Sequence, residues 1–408
     1  MPIREILYTL ICFSLIWAAL KKRDSKVLFN IIMFFCWIVI ALSMDSHDIN
    51  NYRWAYDQGI LRGKDKLFDL LQDLFFNSGS PFFVFKLFYS TIIWLLLYRV
   101  FRTYTVDTAL AAAIFVMGPM VGLGTQMRSS MAGAIILNAL PFLLEKRSKE
   151  WIYCILVLIA SLFHAMALFY LVFLIPKLIH IDSSEFRDYM VVLALALIPF
   201  FLLFAKPISQ ILTAMQTISN ISAINSLLSR LARYFSGEMS PNIKGFLFAS
   251  GGHFVTFFLT DRLCETMLAT RRRETQIHSH FHQDAYAIRY LHMLNSIMVL
   301  IIPCYILSMQ FDRFFGYFAP VCYCLIVQGV KELKSNRLTA REYTSRHCRL
   351  LIQGIHVAHP SRNASLMGFL ALLTMISCLV FCFFVNNWYS GFSEFSRIVK
   401  GIGLLNGP

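Results

Sequence analysis

WIYCILVLIASLFHAMALFYLVFLIPKLIH, residues 151–180, runs for thirty positions with Lys177 as its only formal charge. A helix rises about 1.5 Å per residue, so one straight helix of this length would reach about 45 Å, well beyond the roughly 30 Å of membrane hydrocarbon. Two readings follow. The stretch is either one long tilted helix, or two short helices that enter the membrane and turn back near Phe163–His164. The flanking charges favour the second. KKRDSK (21–26), RVFRTY (99–104) and EKRSKE (145–150) are short and basic, and simple alternation of the spans before them puts all three on one side. Lys and Arg collect in cytoplasmic loops, which makes that side the cytoplasm. RRRETQIHSHFHQDAYAIR (271–289) and KELKSNRLTAREYTSRHCR (331–349) belong there too, and they do so only if the chain changes side once more between 151 and 246. A turn at Phe163–His164 supplies that change. Each arm would be about 20 Å long, too short to cross lipid, so the turn needs a protein-lined setting. The competing arrangement keeps one long helix and places a re-entrant piece in 207–245.

Working outward, apolar segments near 5–20, 27–43, 82–98, 106–121, 127–144, 188–205, 246–268, 291–309, 314–330 and 366–385 complete the pattern. The chain is 57% hydrophobic with mean hydropathy +0.61. A soluble domain would alternate its polarity to keep one face wet. The expected fold is all-α: one integral membrane domain over 1–408, a polytopic bundle of about 11–12 membrane segments. Loops 44–80 and 206–245 are expected on the outer, periplasmic side, and loops 271–289 and 331–364 on the cytoplasmic side. The flank after residues 5–20 lacks a small-residue cleavage site, so that segment reads as a first span. The formal net charge of +14 sits in short inter-span loops and is not read as nucleic-acid binding. The ten cysteines form no CxxC and no zinc spacing, and most lie in apolar runs, where a thiol acts as a small hydrophobe.

Six features carry chemistry. Arg128 stands in GLGTQMRSSMAGAIILNAL (122–140), an otherwise small and apolar run. A cation at a helix centre costs roughly 2.5–3.5 kcal/mol on insertion scales. Arginine cannot shed its proton, and its planar fork suits phosphate and carboxylate. An anionic ligand is the functional reading; snorkelling to the headgroups is the structural one. In MDSHDINNYRWAYDQGI (44–60), Asp48, Tyr52 and Tyr56 recur every four residues and share a helical face. That arrangement suits sugar hydroxyls or base activation of one, against a plain interfacial helix. His164 interrupts SLFHAMALF (161–169), as a hydrogen-bonded core residue or as a catalyst. Arg230 and Arg233, with Tyr234, come from SLLSRLARYFSG (226–237) and form an anion clamp or an amphipathic helix on anionic lipid. Arg313 follows Asp312 in SMQFDRFFGYFAP (308–320), where the two charges either pair together or offer the arginine to a diphosphate. The sixth, HSHFHQD (278–284), alternates three histidines without a fourth ligand fixed by spacing, and is not read as a metal site.

The order of these features resembles the EpsG-like, Wzy-type polysaccharide polymerases. It runs from an Asp-x-x-x-Tyr loop after the second span to MRSSMAGAIIL (127–137), SLFHAMALF, RYFSG (233–237) and DRFFGYF (312–318). The resemblance covers roughly residues 1–390, and its specificity lies in order and topology, because each motif is short. Two departures stand out. The Arg helix reads MRSSMAG where the family more often has an Arg-Gln pair, and Ala165–Met166 replaces a common Pro-Ser pair.

The resemblance implies a multi-pass glycosyltransferase of the bacterial inner membrane with a GT-C-like helical bundle. Its reaction would join undecaprenyl-diphosphate-linked oligosaccharide repeat units at the periplasmic face, with no nucleotide sugar, no cofactor and no metal. Asp48, His164 and Arg128 are then the expected catalytic residues. Tyr52, Arg230, Arg233, Tyr234 and Arg313 are the expected substrate-binding set. The implied partners are the lipid-linked units, the bilayer, a chain-length regulator and a flippase. The competing classes are a flippase or transporter of the same units, and another membrane glycosyltransferase such as a ligase. A transporter would show a charged central cavity and inverted repeats. No repeat is evident here.

Overall fold

The computed structural model describes residues 3–334, apart from short interruptions at 23, 45–46, 62, 64, 118–119, 146–148, 180, 219–221, 239–242 and 276–281. The expected span 366–385, and the expected loop 331–364 beyond residue 334, lie outside the described residues. All regular structure among the described residues is helical. Among the described residues, five helical stretches are long and apolar enough to cross a membrane: Phe82–Tyr104, Met127–Leu144, Ser183–Thr217, Ala285–Cys304 and Asp312–Val330. Shorter apolar helices, among them Lys26–Leu42 and Glu150–Phe163, join them. The molecule is a multi-pass membrane protein, as the apolar runs require.

In chain order, α1 (Ile3–Lys21) and α2 (Lys26–Leu42) lead to two short helices over one end of the bundle, α3 (His47–Asp57) and α4 (Lys66–Asn77). Helix α5 (Phe82–Tyr104) returns. The short α6 (Thr108–Met117) and α7 (Met120–Thr125) then rise to α8 (Met127–Ala139), which continues into α9 (Pro141–Leu144). Indole and amide groups staple these spans together. Trp94 Nε1 donates to the Met33 carbonyl (2.7 Å), and Asn138 Nδ2 donates to the Leu96 carbonyl (3.0 Å). Such bonds are worth about 0.6–2 kcal/mol each between helices that lipid does not push together.

The stretch 151–180 turns back. Helix α10 (Glu150–Phe163) ends at His164, whose extended backbone (φ −160°, ψ 120°) breaks the helix. A 3-10 helix (Ala165–Leu174) and α11 (Ile175–Leu178) follow, packed alongside α10. The Tyr153 hydroxyl donates to the Tyr170 carbonyl at 2.7 Å, and Lys177 meets Glu150 at 3.7 Å. A continuous helix would hold residues 153 and 170 about 25 Å apart. The hairpin is therefore re-entrant, and residues 150 and 177 share the face of the basic loops.

The second half is α12 (Ser183–Ile218), α13 (Ser222–Phe235), α14 (Ile243–Thr275), α15 (His282–Met298), α16 (Ile301–Cys304), a 3-10 turn (Met309–Phe311) and α17 (Asp312–Lys334). Helix α12 runs past the expected span end at 205 and takes in Pro199 and Pro207, so much of 206–245 is helix, not loop. Its Leu195, Leu202, Leu203 and Ile211 are exposed, as a lipid-facing surface requires. Helix α13 folds back on it, with Ser209 Oγ donating to the Ala232 carbonyl (2.9 Å). A partly buried ionic cluster ties α12, α14 and α15 together. Arg187 bonds to Glu265 and lies 3.4 Å from Asp261, and His292 Nε2 lies 2.6 Å from the other Asp261 oxygen.

Small residues set the closest approach. A Cβ on Gly133 in α8 would lie 2.5 Å from Tyr317 Cγ in α17, so a side chain there must displace the ring. Gly133→Leu is expected to lower stability by about 1–3 kcal/mol, read as a drop in the thermal midpoint of the detergent-solubilised protein. The hairpin has its own test. With cysteines placed at Glu150 and Lys177 in a background freed of other thiols, a short bifunctional thiol reagent should link them within one chain. Peptide mass mapping would show the link; only singly labelled products would mean that the stretch continues straight across.

Candidate functional site

Arg128 sits one residue inside the start of α8, at the end of the bundle opposite the basic loops. Its guanidinium pairs with Asp65, its Nε donates to the Tyr52 hydroxyl (3.1 Å), and its cation lies 5.3 Å from the Tyr52 ring and 6.0 Å from that of Phe68. The side chains of Arg128 and Asp65 are 18% and 7% exposed, so the pair is substantially desolvated. The arginine is thus held by protein and does not snorkel. Of the expected set, Tyr52 joins Arg128 directly.

Asp65 was missed by sequence reading, and the reason is local. It stands at the N-cap of α4, where an aspartate normally accepts a backbone N–H, yet it makes no such cap bond. Its carboxylate goes to Arg128 instead. An N-cap signal and a ligand to a distant arginine look identical along the chain. Asp69, one turn later on the same face, is also buried. Gln72, a further turn on, anchors this face by donating to the Ile60 carbonyl (3.1 Å). Lys86 is another missed charge. It is fully buried in α5 and donates to the Ser43 carbonyl.

The other expected residues divide. Asp48 is half-buried in the first turn of α3, where the helix dipole favours a carboxylate. Among the described residues no hydrogen bond links it to Arg128. Tyr56 is buried, and its hydroxyl donates to the Ser80 carbonyl (2.6 Å). Burial, then the charge of Asp57, pushes its phenol above the ordinary value, so it remains a donor. Its role is to close the loop, which Gly59 (φ 62°) turns after α3.

His164 is half-buried at the hairpin tip, and its Nδ1 accepts the Met166 N–H (3.3 Å), capping the 3-10 helix. It lines a narrow cleft with Ser129, Gly133, Tyr170 and Tyr317. Tyr317 connects this cleft to both arginine helices: its hydroxyl donates to Gln126 (3.5 Å), and it lies one turn after Arg313 in α17. Arg313 is half-buried. Asp312 accepts the Tyr305 hydroxyl (3.4 Å), and among the described residues no carboxylate forms an ion pair with Arg313 within 4 Å. Tyr305 is in turn 3.1 Å from His253 Nδ1, and that imidazole stacks on Phe315 at 3.7 Å.

Tyr234 donates to Gln310 (3.0 Å) in the turn just before Arg313, with its ring 5.5 Å from Phe311. The fourth and fifth motifs are therefore adjacent. Arg233 is exposed, and the side chain of Arg230 lies outside those described. The histidines of 278–284 fall at or beside the interruption and are likewise outside. Among the described residues, Asp261, Glu265 and His292 converge at metal-ligand spacing, but Arg187 occupies the space between the carboxylates, where a cation would meet its charge.

This site offers an anion one arginine held in a carboxylate–phenol–aromatic frame and a second at the head of α17. Both stand at the end where the small residues of α8 allow close approach. Arg128→Gln and Asp65→Asn should each destabilise the protein by about 1–3 kcal/mol, with a coupling above about 0.5 kcal/mol in the double-variant cycle. Additive effects in thermal unfolding would mean that the two do not touch.

The family model described as EpsG matches residues 26–341. No curated protein and no solved structure matches the chain.

Proposed function

Since the chain belongs to the EpsG family of polysaccharide polymerase-like membrane proteins, we propose that it is a bacterial inner-membrane glycosyltransferase. In this reading it joins undecaprenyl-diphosphate-linked oligosaccharide repeat units at the periplasmic face. The basic loops mark the cytoplasmic side. The observation that carries the proposal is the Arg128–Asp65–Tyr52 frame at the opposite end, held in a helix of small residues.

The chemistry follows from the leaving group. When the anomeric C–O bond of the donor breaks, negative charge grows on a diphosphate. A preorganised guanidinium stabilises that charge in a poorly hydrated setting, where each contact counts for more than in water. Asp65 holds Arg128 ready, and the diphosphate takes over that charge-assisted bonding on arrival. Arg313 serves a second diphosphate oxygen or the second lipid carrier, and Tyr234 positions the turn that presents it. Asp48 and Tyr52 shape the sugar site, with Arg233 and Arg230 near the headgroups. His164 closes the cleft from the hairpin tip. The lipid tails lie against the apolar outer surfaces.

The test uses repeat units extracted from cells deleted for this protein, mixed with the purified full chain in detergent. Ladders of increasing length support the reading. Movement of the units across liposomes without ladders replaces it with a flippase. Arg128→Lys keeps the charge but loses the planar fork, and should cut ladder formation by about 10²-fold or more while membrane insertion stays intact. Wild-type ladders from that variant would remove Arg128 from the site.

A further inference from the structure

Asp69 has no counterpart in the reading so far. Its residue is 6% exposed, and both carboxylate oxygens are buried without a hydrogen-bond partner among the described residues. A buried carboxylate in that condition costs several kcal/mol. Its neighbour Asp65 is committed to Arg128. The two stand four residues apart, one above the other on α4.

The surroundings extend the same pattern. Phe68, between the two aspartates, is 6.0 Å from the Arg128 guanidinium and 5.5 Å from the ring of Tyr89. The Tyr89 ring is 6.2 Å from Phe163, at the hairpin tip beside His164. Helix α4 itself packs on α10. The Tyr89 hydroxyl and Ser130 Oγ are likewise buried without a partner among the described residues. Helices α4 and α5, which pack together beside Arg128, thus each bring a buried polar group that lacks a partner among the described residues: the Asp69 carboxylate and the Tyr89 hydroxyl. A hydroxyl-bearing ligand would satisfy the carboxylate by donating to it.

We propose that Asp69 is the base that receives the proton of the acceptor sugar's hydroxyl. This rests on the polymerase reading above. In the step, the acceptor oxygen forms a new bond to the donor's anomeric carbon, and the bond from that carbon to the diphosphate oxygen breaks. The undecaprenyl diphosphate leaves with the electron pair, facing Arg128, and the hydroxyl proton passes to the Asp69 carboxylate. The two aspartates of α4 divide the work: Asp65 holds the cation that meets the leaving group, and Asp69 serves the nucleophile. Asp48, half-buried in the first turn of α3, is not needed as a base.

The experiment compares the full-length wild type, Asp69→Asn, Asp69→Ala and Asp69→Glu in lipid nanodiscs, with the extracted repeat units as probe. Three readouts are taken: the ladder rate, binding of the repeat unit, and the ladder rate with added sodium formate. The proposal expects wild-type ladders, a loss of about 10²–10⁴-fold in Asp69→Asn, and repeat-unit binding within about twofold of wild type. It also expects formate to raise the Asp69→Ala rate at least tenfold, because a small carboxylate then replaces the missing base. A purely structural aspartate would not respond to formate. If Asp69→Asn is not recovered folded, Asp69→Glu takes its place, and its rate should exceed that of Asp69→Ala. An Asp69→Asn rate near wild type, loss of binding in step with rate, no formate response, or equal Glu and Ala rates would each overturn the assignment. In those cases wild-type ladders persist and the polymerase reading survives. Absence of wild-type ladders overturns both together.

Discussion

An arginine that cannot be neutralised, placed at the mouth of an apolar helix, has to be met by opposite charge. That requirement organises the end of the molecule opposite the basic loops. Arg128 is answered by Asp65 from α4 and by the phenol of Tyr52 from α3. Both helices therefore fold down over the bundle and do not trail into solvent. The cost of removing two charges from water is offset only when geometry is good and further hydrogen bonds join in. Tyr52 and the ring of Phe68 supply that surrounding. Asp65 forgoes its cap bond to α4, a loss of about 1 kcal/mol by itself. The guanidinium's need outweighs the helix end's.

The second organising constraint is length. Neither arm of the 151–178 hairpin can cross lipid alone, so the turn at His164 has to lie against protein. Helix α8 provides the surface through residues small enough to admit it. Gly133 receives Tyr317 so closely that any Cβ would collide, and the same tyrosine lines the cleft at His164 and reaches Gln126. The hairpin, α8 and α17 are thereby locked around one narrow space. The backbone at His164 is held by its own ring nitrogen, which caps the following 3-10 helix. A histidine at that break satisfies the freed backbone and leaves the ring at the cleft.

How far the site was legible depends on the kind of signal. Charges set against an apolar background were visible: Arg128 and Arg313 announce themselves by cost. His164 was found by counting sides of the membrane, and the reversal at that residue is seen in Tyr153 reaching Tyr170. Tyr52 was found by helical spacing, but Tyr56, with the same spacing, turned out to hold the Ser80 carbonyl. Periodicity names a face and does not say which member meets Arg128. Asp65 and Asp69 were hidden because they lie in a polar stretch where aspartates are ordinary. Lys86 stands in the apolar run 82–98, and its full burial is visible only in the structure.

By itself the sequence determined the solvent. Apolar runs of spanning length, with basic residues in short loops, admit only helices in a membrane, because lipid offers the backbone no hydrogen bonds. Charge alternation further required one extra change of side, which the turn at Phe163–His164 provides. Tertiary structure alone decided the partnerships. Arg128 and Asp65 are 63 residues apart, and Tyr170 bonds to the carbonyl of Phe314, 144 residues on. Such pairings depend on which helices stand side by side, and helix adjacency is set by close packing of small against large side chains. That complementarity is spread over many positions, and no local spacing encodes it.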